Sequence, residues 1–164
     1  MAFVTLIDGR SGSGKTTLAA RIAEASGARL LHLDDLYPGW DGLAEGSRAV
    51  AGALATGRYR RYDWEAEAFA ETVALDPLRP LVVEGCGALT RRNLAAARAW
   101  AAHFGRSGSV HAIWMECPEG LRRERALGRD GEMFRPHWER WCDQEDAHFG
   151  AANPIALAAE IVHT

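Results

Sequence analysis

The chain has 164 residues and a formal net charge of −3, with hydrophobic side chains at 48%. That length suits one domain, residues 1–164, able to bury roughly two-thirds of its unfolded surface, and the slight acidity excludes indiscriminate attraction to nucleic acid or membrane. Cys86, Cys117 and Cys142 are widely spaced outside any C-x-x-C pair, no basic leader precedes the first apolar run, and no apolar run reaches spanning length, so reduced thiols and a cytoplasmic location are expected.

In chain order, the apolar run Phe3 to Ile7 predicts a buried strand, and Thr17 to Ala23 a helix that stops near Gly27. Arg29 to Leu33 reads as a second strand. A glycine-rich aromatic stretch, Tyr37 to Ser47, leads to a short helix from Arg48 to Ala55 that ends at Gly57. Glu65 to Leu75 reads as helix, closed by Asp76-Pro77. Leu81 to Glu84 is a third strand, Asn93 to His103 a helix, and Val110 to Met115 a fourth strand. Two helices, Glu119 to Leu127 and His137 to Phe149, flank a loop from Gly128 to Pro136, and Ile161 to His163 is a short fifth strand. Strands joined by helical crossovers imply an α/β fold with a five-stranded parallel sheet covered on both faces.

The only lysine, Lys15, lies in Gly9-Arg10-Ser11-Gly12-Ser13-Gly14-Lys15-Thr16, which fits the phosphate-binding pattern G-x-x-x-x-G-K-[ST]. A chain that otherwise uses arginine yet keeps one lysine there needs an ammonium. The strand before and helix after are the context the motif requires, predicting a P-loop NTPase three-layer sandwich. Glycines let the backbone wrap so that amides and the positive helix end converge on phosphate oxygens. Gly9, Ser11, Gly12, Ser13, Gly14, Lys15, Thr16 and Thr17 are therefore the predicted nucleotide contacts. Lys15 would reach the β and γ phosphates of ATP, and the Thr16 hydroxyl would bind Mg²⁺.

Asp34 and Asp35 follow at the end of the second strand, on the sheet edge that carries the phosphates. Either could orient and deprotonate an attacking hydroxyl, or could cap a turn or hold the water shell of Mg²⁺.

The loop followed by Leu33-Asp34-Asp35-Leu36-Tyr37 resembles the uridine kinase family and its relative nicotinamide riboside kinase. That resemblance implies Asp34 as general base and metal neighbour, and Asp35 as its helper through Mg²⁺ or substrate. Val82-Val83-Glu84-Gly85 resembles the family's strand ending in Glu-Gly, which implies Glu84 near Mg²⁺ in place of a Walker B aspartate. Residues from Cys117 to Asp130 resemble the family's arginine-rich lid, taken as about 118–136, implying Arg122 and Arg125 on the transferring phosphate and Arg129 on nucleotide. Tyr37, Tyr62, Asp63 and Trp64 fall in the acceptor region, where a carboxylate holds sugar hydroxyls and rings stack on a base; alternatively these rings pack a small helix under the cleft. Trp138 and Trp141, three apart on the last long helix, are expected in the core.

Three functions are compatible with these residues: an ATP-dependent kinase acting on a nucleoside-like small molecule, a kinase of the same architecture for a sugar acid or antibiotic hydroxyl, or a nucleotide-binding switch. A GTPase switch is disfavoured because N-K-x-D requires a second lysine. Nucleic acid and membrane are not expected partners.

Overall fold

The computed structural model describes residues 1–164. Its centre is β1 (Val4–Gly9), every residue of which is buried. A strand this apolar can be satisfied only inside a sheet packed on both faces. The other parallel strands are β2 (Arg29–His32), β5 (Leu81–Glu84), β6 (Val110–Glu116) and β7 (Glu160–His163), in the order β2-β5-β1-β6-β7. Register aligns Ile7 with Glu84 and Gly9 with Met115, so the end of β1 opens beside the acidic end of β5.

Side chains alternate along β1 and split the core. Val4 and Leu6 face one layer with Leu31, Val83, Ala112 and Trp114, while Ile7 faces another with Val82, Ile113 and Ala19 of α1 (Lys15–Ser26). The first layer is completed by α2 (Leu43–Thr56), α3 (Arg91–His103) and α5 (Trp138–Ala152). Thr90 caps α3 by accepting the Asn93 amide at 3.1 Å. A short helix α6 (Pro154–Leu157) precedes β7. This is the expected three-layer P-loop sandwich, and all five predicted strands of the main sheet form.

Besides α2, which begins at Leu43 and not at Arg48, two expected elements differ. Residues 65–75 are not helical: β3 (Arg58–Asp63) and β4 (Ala68–Ala74) form a separate antiparallel hairpin. The segment contains good helix formers, but the turn chemistry and cross-strand pairs override them. Asp63 accepts the Glu65 and Ala66 amides, each at 3.0 Å, and Arg61 bridges to Glu71 at 2.6 Å. Tyr62 sits opposite Phe69, ring edge to face at 5.3 Å.

The second difference is α4, which runs from Glu119 to Phe134 rather than ending at Leu127. Its interior is interrupted at Gly131, with φ 53° and ψ −133°, and a 3-10 turn at Arg135–His137 joins it to α5. The expected loop is helix because Phe134 and Trp138, each 5% exposed, anchor both sides of the junction in the core. Trp138 and Trp141 are core residues, as expected. No helix is long and apolar enough to cross a membrane.

Candidate functional site

The loop between β1 and α1 is fixed by buried groups that do not belong to it. Asp8, fully buried at the end of β1, accepts the amides of Gly9 at 2.7 Å, Gly87 at 3.0 Å and Leu89 at 2.8 Å. Burial raises its carboxyl pKa to about 7, against the pull of those amides and Lys15. Glu145 of α5, also fully buried, accepts the Ser11 amide at 2.7 Å and the Cys86 thiol at 3.3 Å. Arg10 lies 3.6 Å from the other Glu145 oxygen and 2.6 Å from Asp146.

Gly12 has φ +79°, and a Cβ there would lie 2.1 Å from the Arg122 carbonyl oxygen. Gly12→Ala is thus expected to strain the loop by about 1–2 kcal/mol from the left-handed backbone alone, with the backbone clash added. A lowered thermal midpoint together with weakened nucleotide binding would register it; an unchanged midpoint would contradict the contact.

Above this floor lies a cleft of about 790 Å³. Ser11, Gly12, Gly14, Lys15, Thr16 and Thr17 line one end. Gly9 and Ser13 do not reach it: Gly9 is pressed against Met115, and the Ser13 amide donates to the Arg10 carbonyl. The Ser11 amide is committed to Glu145, so that part of the expected cradle falls to Gly14 and the first amides of α1, which have no intrahelical partner. The Lys15 ammonium donates to the Arg10 carbonyl at 2.9 Å. Burial works against its charge, while Cys86, Glu84, Glu145 and Asp8 favour it, and its pKa is raised.

Thr16 Oγ1 donates to Glu84 Oε1 at 3.2 Å, and His32 Nδ1 lies 2.5 Å from the same oxygen. That hydrogen bond raises the His32 pKa. Burial opposes ionisation of Glu84, yet His32, Lys15 and Thr16 together hold its pKa below the usual value. Asp34 opens into the cleft from the 3-10 turn Leu33–Asp35. Loss of bulk water, then the Glu84 charge, raises its pKa against Lys15 and Arg129. Asp35 is also raised by burial, against His32 and Arg61. No group of three or more His, Cys, Asp or Glu side chains could hold a metal alone. The oxygens of Thr16 and Glu84 do suit Mg²⁺, which keeps water and phosphate oxygens as its remaining ligands.

The far end is walled by Trp40, Trp64, Phe134 and Trp141, with Arg129, Asp130 and Met133 along α4. Trp64 Nε1 donates to the Asp34 carbonyl at 2.9 Å, joining the hairpin to the acidic turn. Trp40 meets Trp64 edge-on at 5.0 Å and stacks on Phe134 at 5.4 Å and His137 at 4.2 Å.

Several expected site residues lie elsewhere. Arg122 is buried under the loop, donating to the Ser11 carbonyl at 3.3 Å near Glu145. Arg125 points to Cys117 Sγ and Thr164 Oγ1, outside the cleft. Among the three predicted arginines only Arg129 lines the cleft, paired with Asp130 at 2.8 Å. Helical geometry explains the split: Arg122 and Arg129, nearly two turns apart, share a face whose root is buried. The Tyr37 ring borders the cleft, but the residue is 2% exposed, with its hydroxyl on the Cys86 carbonyl at 2.7 Å. Tyr62 packs within the hairpin, and the Asp63 carboxylate is taken by the turn. Neither lines the cleft, because the segment is a hairpin and not a helix laid under it. Asp8, His32, Trp40, Glu145, Met133 and Phe134 were not anticipated. Only Asp8 carried a signal, a carboxylate ending an otherwise apolar strand.

A family described as AAA domain matches residues 4–148. The chain belongs to this family. Among solved structures, this AAA domain is similar to a possible uridine kinase from Bacillus stearothermophilus, at 20% identity and TM-score 0.56, covering 97% of this chain and 87% of that one. A gluconokinase from Sinorhizobium meliloti is similar at 21% identity and TM-score 0.55, with coverages of 98% and 80%. A shikimate kinase from Acinetobacter baumannii is similar at 15% identity and TM-score 0.54, with coverages of 98% and 83%. At these identities the likeness is one of fold. Among curated proteins no sequence match is found.

Proposed function

We propose that this AAA domain is an ATP-dependent small-molecule kinase, transferring the γ-phosphoryl group of ATP to a hydroxyl of a nucleoside-like acceptor in the manner of uridine kinase-like enzymes. The observation that carries the reading is one cleft with two chemically different ends, a phosphate loop and a ring-walled chamber with a carboxylate between them. A nucleotide switch needs only the first.

Asp34 orients the acceptor O–H and takes its proton as the oxygen bonds to γ-phosphorus and the bridging bond to ADP breaks. Its raised pKa makes it a stronger base than an ordinary aspartate. Lys15 and the loop amides hold the phosphates. Thr16 and Glu84, with Asp34 nearby, would hold Mg²⁺ through oxygens and water, and the ion supplies charge neutralisation on the phosphates when bound. The tryptophans exclude water from the reacting oxygen. Arg129 leaves Asp130 for the triphosphate as the distal part of α4 closes as a lid.

Because Asp63 serves the hairpin turn, a ribose diol held by that residue is not part of the proposal. This favours, as a second reading, a non-nucleoside hydroxyl acceptor in the same chamber.

The test is ADP formation with nucleosides and other small hydroxyl compounds, against an acceptor-free control. Acceptor-dependent turnover is expected, and equal rates throughout would favour a switch or ATPase. Arg129→Ala should reduce kcat about 10-fold or more, the scale of a charged hydrogen bond, whereas Arg125→Ala should change it less than about twofold. Equal losses would remove Arg129 from the proposed lid.

A further inference from the structure

The charges at the far end of the cleft are unbalanced in one direction. Of the cationic groups lining the cleft, Lys15 is held over the phosphate loop at the Arg10 carbonyl, His32 is on Glu84 at 2.5 Å, and Arg129 is on Asp130 at 2.8 Å. Arg61, the other cation whose charge acts on Asp35, is held by Glu71 at 2.6 Å. Asp35 borders the chamber with no ion-pair partner. Once Arg129 turns to a triphosphate, as the proposed kinase reading requires, Asp130 joins it. The surfaces completing the wall are the rings of Trp40, Trp64, Phe134 and Trp141, whose π-faces attract cations and carry no countercharge for an anion.

Resting on the kinase reading above, we infer that the acceptor is a hydroxyl compound carrying a positive charge on a flat or apolar body. Its charge lies against Trp40 and Trp64 within reach of Asp35, and its hydroxyl is directed to Asp34. A sugar acid meets the opposite conditions. Its carboxylate would enter a chamber holding Asp35 and Asp130, with Arg129 already committed and no free cation on the walls. Removing an anion from water without a partner is strongly unfavourable, so the charge pattern selects against acids as well as for cations.

Binding, measured without turnover, tests this separately from the kinase reading. Three para-substituted benzyl alcohols serve as probes: one with trimethylammonium, one with its uncharged isostere tert-butyl, and one with carboxylate. Their affinities are read by tryptophan fluorescence and calorimetry. The trimethylammonium probe is expected to bind about 10-fold tighter than the tert-butyl probe, within the range of a partly desolvated cation–π contact beside a carboxylate. The carboxylate probe should bind weakest. The preference should fall to about twofold or less in Asp35→Asn, and should shrink in 1 M salt in the unaltered protein. Equal or tighter binding of the tert-butyl probe, tightest binding of the carboxylate, or no binding of any probe at millimolar concentration would overturn the inference. A failed kinase reading shows itself differently, as ADP formation that no hydroxyl compound stimulates.

Discussion

Lys15→Ala is expected to lower phosphoryl transfer by about 100- to 1,000-fold, the loss seen when one preorganised charged or hydrogen-bonding group is removed from a developing negative charge. The fold should persist. Lys15 is 8% exposed, but its ammonium makes one hydrogen bond, to the Arg10 carbonyl, and the loop beneath is held independently by Asp8 and Glu145. Circular dichroism with an unchanged melting transition, beside a collapsed rate, is the expected pair of results. A folded Lys15→Ala protein with near-normal turnover would defeat the kinase proposal, because no other lysine could substitute.

Asp34→Asn should reduce turnover by about 100-fold while nucleotide affinity changes little, since the amide keeps the shape and loses the proton acceptor. The pH profile adds an independent signature. Desolvation within the cleft, then the Glu84 charge, raises the Asp34 pKa, so the deprotonated base is lost as pH falls, at a higher pH than for an ordinary aspartate. The acid limb of kcat/KM should follow that titration and flatten in Asp34→Asn. Loss of activity in Asp35→Asn with Asp34→Asn unaffected would exchange the two assignments.

The parts readable from sequence were those whose partners lie close in the chain. β1 and the phosphate loop announce themselves because an apolar run, a glycine pattern and a helix occur in direct succession. Parallel strands spaced by helices then implied the sheet, which brings Lys15, Thr16, Asp34 and Glu84 to one edge. Distance in sequence defeated the rest. The Ser11 amide is bound by a carboxylate on α5, and the Trp40 ring is stacked on His137; no local pattern encodes either pairing. Residues 68–74 have helix-forming composition, and only the Asp63 turn and the β3 partner make them a strand. Arg122 and Arg129 look alike in sequence, yet one is buried beneath the loop and the other borders the cleft. What separates them is the level at which α4 meets the loop.

The Glu145 contact means that the phosphate loop is not a portable cassette. Its first turn is shaped by a carboxylate 134 positions downstream, and only glycine fits at position 12 because the Arg122 backbone passes so close. Residues 9–16 grafted onto another strand and helix would carry the motif without its conformation. Conversely, changes on α5, remote from any ligand in the linear chain, can retune how tightly the loop grips phosphate.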